Sequence, residues 1–304
     1  MYKYIIGFLL SFSFLAAQAQ EVKFEGLKEI NGTQLHVKVI GEGEPIIVVH
    51  GGPGLNHTYF LPHLETLAKK YQLIFYDQRS SGQSTMNVKA HMTLQQFADD
   101  VDAIRKEFQI DKVNILCHSW SSVFIANYLA LYPQNVKSVI FCSPTPLSRE
   151  YDQMMTTSML SKISKEDSIA RAAIISSEAF KKGDMQTVYD LMRLNFKTVF
   201  CDTAHISLFD VKLQENYLVA SLSFYGFMNE LKTYNFYDQL KGATYPVLVI
   251  HGDCDIIPLA ADEHLKSMFP NSQLAVFHNS GHYPFIEENK LFTKTVSRFL
   301  KRVK

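Results

Sequence analysis

The stretch Val113-Asn114-Ile115-Leu116-Cys117-His118-Ser119-Trp120-Ser121 decides how this chain is read. Residues 113–117 form a short, largely apolar run without alternation, as expected of a strand covered on both faces. Residues 123–131 are apolar almost all round, which suits a helix packed beneath other elements. Between strand and helix the backbone must turn sharply, and Ser119 stands at the turn. Such a turn lifts a serine hydroxyl clear of the sheet, and it needs small residues two places before and two after the serine. Here those places hold Cys117 and Ser121. A serine that merely caps a helix N-terminus would give the same local pattern, so the rest of the chain has to separate the two. If the sharp turn is right, Ser119 takes a strained, positive φ.

Working outward, unalternating apolar runs recur at 46–50, 73–76, 136–142, 247–251 and 274–277. They are preceded by a hairpin, 22–30 and 33–40, joined by Asn31-Gly32, a pair that tolerates the positive φ angles of a type I′ turn. Helical stretches lie between the runs. Residues 93–108 open on a Thr93-x-x-Gln96 capping box and carry Phe97, Val101, Ile104 and Phe108 on one stripe, and residues 291–303 are amphipathic. Strand and helix in alternation give an α/β class protein with a mostly parallel, doubly wound sheet. Residues 147–237 break the alternation. They hold no buried-strand run, but Ser164-x-x-Asp167 and Asp184 offer helix starts and Gly183 a stop. This region reads as a helical cap inserted between two strands, with residues 20–146 and 238–304 forming the core, the arrangement of the α/β-hydrolase fold.

That fold supplies the context Ser119 needs. A serine hydroxyl is a weak nucleophile unless a base lies within hydrogen-bond reach and a third group orients the base. In α/β-hydrolases the order along the chain is serine, acid, histidine. Here the run 247–251 leads into Gly252-Asp253-Cys254-Asp255, and the next run leads into Asn279-Ser280-Gly281-His282. Ser119, Asp255 and His282 thus follow three strand ends on one edge of the sheet. Asp253 and His278 are rivals. Asp255 is favoured because it holds the fourth place of Gly-x-x-Asp, and His282 because it lies in the loop rather than at the strand end. His118, adjacent to the serine, is expected to point away from it. The charge that develops on a substrate carbonyl needs backbone N–H donors. The glycine-rich turn His50-Gly51-Gly52-Pro53-Gly54 offers Gly52, and Trp120, the residue after the serine, offers the second donor.

With these residues in view, the chain resembles the prolyl aminopeptidase (proline iminopeptidase) family. The resemblance rests on His50-Gly51-Gly52-Pro53-Gly54, on Asp77-Gln78-Arg79-Ser80-Ser81-Gly82-Gln83-Ser84 and on His118-Ser119-Trp120. It covers nearly all of the chain after the leader, strongly in the core and weakly in the cap. Cys117, Ser121 and Ser80 stand where that family usually has glycine. The resemblance implies removal of an N-terminal residue, typically proline, from small peptides, without a cofactor or a metal. It also implies that acidic cap residues read the substrate's free amine. Gln214-Glu215-Asn216-Tyr217 loosely matches an acidic family segment, which makes Glu215 the candidate. The competing expectation is an esterase, amidase or lactonase with the same three residues and a cap that receives an uncharged acyl group. A third is a degenerate binding protein in which the lost glycines have spoiled the turn.

Bulk properties exclude other classes. The chain has 304 residues, 47% of them apolar, and a formal net charge of zero, so nothing favours nucleic acid or an acidic surface as partner. The expected partner is a small peptide or other small substrate. Residues 1–19 read as an export signal. Lys3 precedes an apolar run at 5–17 that is too short to span a bilayer, and Ala17-Gln18-Ala19 forms a cleavage site before Gln20. The expected location is therefore periplasmic or secreted, with no stable membrane insertion. Cys117, Cys142, Cys201 and Cys254 show neither metal-ligand spacing nor the look of a disulfide framework.

Overall fold

The structure is a computed structural model that describes residues 21–52, 54–86, 92–231 and 233–303. The export signal lies outside the described residues. The strands are β1 (Val22–Ile30), β2 (Thr33–Ile40), β3 (Glu44–Val49), β4 (Tyr71–Tyr76), β5 (Val113–His118), β6 (Val136–Cys142), β7 (Val247–Gly252) and β8 (Ser272–Phe277). They form one sheet in the order β1-β2-β4-β3-β5-β6-β7-β8. The opening hairpin and the β2–β4 pairing are antiparallel, and every other pairing in the sheet is parallel. Asn31 (φ 51°) and Gly32 (φ 71°) make the two-residue turn, with Ile30 opposite Thr33.

The core helices are α1 (Glu65–Ala68), α2 (Leu94–Glu107) and α3 (Ser121–Leu131). Thr93 caps α2 with both hydrogen bonds of the capping box in place. Strand β3 shows why its run does not alternate. Ile47 and Val49 pack with Ala98 and Val101 of α2 and Ile125 of α3, while Ile46 and Val48 share the opposite layer with Leu67 of α1. All four strand residues are fully buried. Each such side chain contributes roughly 1.5–3 kcal/mol by leaving water.

Between β6 and β7 the chain is helical. It contains α4 (Asp152–Ser161), α5 (Lys165–Ser176), α6 (Glu178–Lys181), α7 (Met185–Phe196), α8 (Tyr217–Glu230) and α9 (Tyr237–Leu240). Ser164 caps α5 by accepting from the Asp167 N–H, and Asp184 caps α7 by accepting from the Thr187 N–H. Gly183 (φ 77°) ends the short α6 in the left-handed region. An isolated antiparallel bridge between Ser148 and Asn235 ties the two ends of this insertion together. The chain then closes through α10 (Leu259–Ser267), α11 (Pro284–Glu287) and α12 (Asn289–Leu300).

One expectation is corrected. Cys201, in the insertion, forms a disulfide with Cys254, in the loop after β7, with Cα atoms 5.1 Å apart. The two lie 53 positions apart in sequence and meet only because the insertion folds back onto that loop. Spacing alone cannot report such a pair. Cys117 and Cys142 are free and buried.

Candidate active site

Strand β5 ends at His118 and α3 starts at Ser121, so two residues make the whole connection. Ser119 adopts φ 57°, the left-handed strain the sharp turn requires. Its N–H donates to Cys142 O at 3.1 Å, and its carbonyl accepts from the N–H of Thr145 at 3.2 Å. The end of β6 thereby holds the strained residue in place. The two departures from glycine are accommodated. The Ser121 hydroxyl lies 3.0 Å from Val49 O and 2.8 Å from His118 O, and accepts from the His118 N–H at 3.0 Å. Cys117 packs in the core with its thiol 3.6 Å from Ile140 O. Ser80 takes φ 58°, the backbone form a glycine adopts freely.

His282 reaches Ser119 from the loop after β8. Its Nε2 lies 2.7 Å from Ser119 Oγ, and its Nδ1 lies 2.8 Å from Asp255 Oδ2. Asp255 and His282 are buried, at 7% and 8% exposure, so little water competes for these bonds. The other Asp255 oxygen accepts from the Ile257 N–H at 3.2 Å. The rivals fall away together: Asp253 and His278 pair with each other at 3.2 Å on the exposed surface. The row Ser119–His282–Asp255 can pass a proton from hydroxyl to imidazole while the carboxylate fixes the ring.

The turn after β3 brings Gly52 to the same place. Gly52 (φ 99°), Ser119 and His282 line one cavity of about 510 Å³. Trp120 is the N-cap of α3, at the positive end of the helix dipole. Among the described residues neither the Gly52 nor the Trp120 N–H donates to a protein acceptor, so both can serve an incoming oxygen. Gly51 has to be glycine because of a close approach: a Cβ there would stand 2.8 Å from Ser119 Cβ and 2.8 Å from His118 O.

Glu215 is the site candidate that the fold does not bring in. It lies exposed in the turn before α8, while Tyr217, two residues on, lines the cavity. The helix start places Tyr217, Leu218 and Ser221 inward and leaves Glu215 in solvent. Asp167, recognised from sequence only as part of a helix start, is the carboxylate among the lining residues. It faces Lys197 at 2.5 Å, and Arg171 one turn further along α5 also lines the cavity.

The insertion also grips both loops of the row. The His282 N–H donates to Val199 O at 2.7 Å, and Lys162 Nζ donates to Cys254 O. Glu287 accepts from the Gly281 N–H at 2.6 Å, the Cys201 N–H at 2.7 Å and the Asp202 N–H at 3.2 Å. Burial pushes its carboxyl up from the usual range, against those N–H donors. Nothing in the local sequence announces Glu287, because its donors come from segments far apart in the chain.

Comparison with known proteins agrees with this geometry. Residues 44–174 match the alpha/beta hydrolase fold family. A proline iminopeptidase of Heyndrickxia coagulans is 29% identical over 290 residues, covering 92% of this chain and 99% of that protein. Among solved structures, a proline iminopeptidase from Mycobacterium smegmatis superposes with a TM-score of 0.67 at 20% identity, covering 92% of this chain and 98% of its own. An esterase from Exiguobacterium antarcticum does so with a TM-score of 0.68 at 20% identity, covering 91% and 100%. The chain is a hydrolase of the α/β-hydrolase fold that resembles the proline iminopeptidases along nearly its whole length.

Proposed function

We propose that this protein is a serine hydrolase that removes an N-terminal residue, typically proline, from small peptides through an acyl-enzyme. The observation that carries the reading is the row Asp255–His282–Ser119 opening onto a cavity beneath the insertion. Ser119 Oγ attacks the carbonyl carbon while His282 Nε2 takes its proton. The Gly52 and Trp120 N–H groups receive the oxyanion. His282 returns the proton to the leaving amine as the carbon–nitrogen bond breaks, and a water molecule then releases the acyl group by the same route. The chemistry needs no metal or cofactor. The similarity to proteins named proline iminopeptidase supports the choice of substrate.

A free amine in the cavity calls for a carboxylate, and in this reading Asp167 supplies it in place of Glu215. Aminoacyl arylamides with a free N-terminus should be cleaved, and their N-acetylated counterparts should not. Asp167→Asn should lower kcat/KM for the free-amine substrates by about 10- to 100-fold, the range of a charge-assisted hydrogen bond. Equal cleavage of blocked and free substrates would overturn the aminopeptidase reading. One observation favours a second reading, an esterase or amidase for uncharged acyl groups: the cavity wall is chiefly apolar, with Met159, Phe180, Leu191 and Leu222 among its residues. Neutral esters turned over faster than any free-amine arylamide would select it.

We also infer export to the periplasm or medium. The N-terminal leader supports it, and so does the Cys201–Cys254 bridge, since disulfides persist in oxidising compartments. Mass spectrometry of exported protein should find a chain beginning at Gln20 and lighter than the fully reduced form by two hydrogens. A chain that retains Met1 would refute the export signal.

A further inference from the structure

Beside Ser119 runs a line of buried polar groups that the hydrolytic steps above do not use; one of them, His118, also lines the cavity. The Gly51 N–H donates to Tyr59 Oη at 2.5 Å. Tyr59 Oη lies 2.9 Å from His118 Nδ1, and His118 Nε2 lies 2.9 Å from the His282 carbonyl oxygen. Tyr59 and His118 are almost wholly removed from solvent. The two ends of the line are backbone groups, and they fix its direction. An amide N–H can only donate and a carbonyl can only accept. Tyr59 therefore receives from Gly51 and gives its own proton to His118 Nδ1, so His118 carries its proton on Nε2 and donates it to His282. Burial holds His118 well below the ordinary histidine range, which keeps the ring neutral in this tautomer.

The ends of the line are the two parts of the site that must stay at a fixed separation. Gly51 precedes Gly52, whose N–H is assigned above to the oxyanion, and His282 is the base of the same proposal. The rings leave little freedom between them. Tyr59 packs on Phe60 with centroids 4.5 Å apart, and His118 packs on Tyr283 at 5.2 Å. We propose that Tyr59 and His118 are positioning residues, which hold the oxyanion turn and the base in register on either side of Ser119. The proposal rests on the assignment of Ser119 and His282 made above.

Tyr59→Phe keeps the ring and removes the hydroxyl, leaving the Gly51 N–H and His118 Nδ1 without partners. Active sites are counted by labelling Ser119 with a fluorophosphonate, and rates are expressed per labelled site. Tyr59→Phe should lower kcat per site by about 10- to 100-fold, since small misplacement of reacting groups carries penalties of that order, with KM moved by about twofold or less. A residue needed only for folding would lower the number of labelled sites and the melting temperature but leave kcat per site unchanged, and that result overturns the proposal. His118→Gln and His118→Leu give an independent measurement if Tyr59→Phe does not fold. Gln retains a donor for the His282 carbonyl and should keep more kcat per site than Leu; equal values overturn the proposal. Wild-type protein that is not labelled at Ser119 would instead defeat the underlying assignment.

Discussion

Replacing Ser119 with alanine should lower kcat by roughly ten-thousand-fold or more, and His282→Ala should cost nearly as much. The Ser119→Ala, His282→Ala double variant should lose little beyond either single one. The reason is the geometry: Ser119 Oγ sits 2.7 Å from His282 Nε2, so in the proposed mechanism every proton that His282 moves belongs to forming or breaking the Ser119 acyl-enzyme. Once one member is gone, the other has nothing to act on. Residual activity would come from the Gly52 and Trp120 donors and from substrate binding, which none of these substitutions touches. Steady-state rates of the three variants on one arylamide test the point. Losses that multiply in the double variant would show that His282 acts on something other than Ser119. The strained φ of Ser119 adds a control, because alanine there meets the same backbone cost as serine and the fold should survive.

The second large effect is expected at Gly252, a residue that touches no substrate. It ends β7, three residues before Asp255, and the backbone of the His282 loop lies directly on it. A Cβ at Gly252 would stand 2.1 Å from Gly281 O and 2.4 Å from Ser280 O. Both obstacles are backbone atoms, so no side-chain rotation relieves the clash. Gly252→Ala must push the acid loop and the base loop apart. Overpacking of this kind costs about 1–3 kcal/mol or more. A displacement near 1 Å at the Asp255–His282 contact should also lower kcat about 100-fold. Melting temperature and kcat should therefore fall together. An alanine variant with wild-type melting and wild-type kcat would show that these loops approach each other less closely than the structure places them.

Helix and strand segments were readable because their burial is written in local periodicity. Continuous apolar runs such as 247–251 appear where a strand is covered on both faces, and Thr93-x-x-Gln96 marks a helix start through bonds made within four residues. Ser119, Asp255 and His282 were readable for a related reason. Parallel strands bring all their carboxyl ends to one edge, so residues in the loops after three strand ends come close together, and chain order says which is which. The Ser119 turn was legible despite Cys117 and Ser121, because its demand is for small volume and not for glycine itself.

What depended on the insertion was not legible. Glu215 was chosen from a loose match in sequence, yet the start of α8 turns Tyr217 inward and leaves Glu215 in solvent, while Asp167 reaches the cavity from a different helix. The Cys201–Cys254 bond, the Cys201 and Asp202 N–H donors on Glu287 and the line from Gly51 through Tyr59 and His118 to His282 each join segments remote in the chain. Sequence by itself determined the sheet, its direction and the row of three residues at its edge, since strand burial and chain order fix those. Only the tertiary structure decided which side chains face the cavity and how the loops are held. Those outcomes depend on how the helices of the insertion pack against the sheet edge, and helix periodicity shows that a face is apolar without showing which surface it meets.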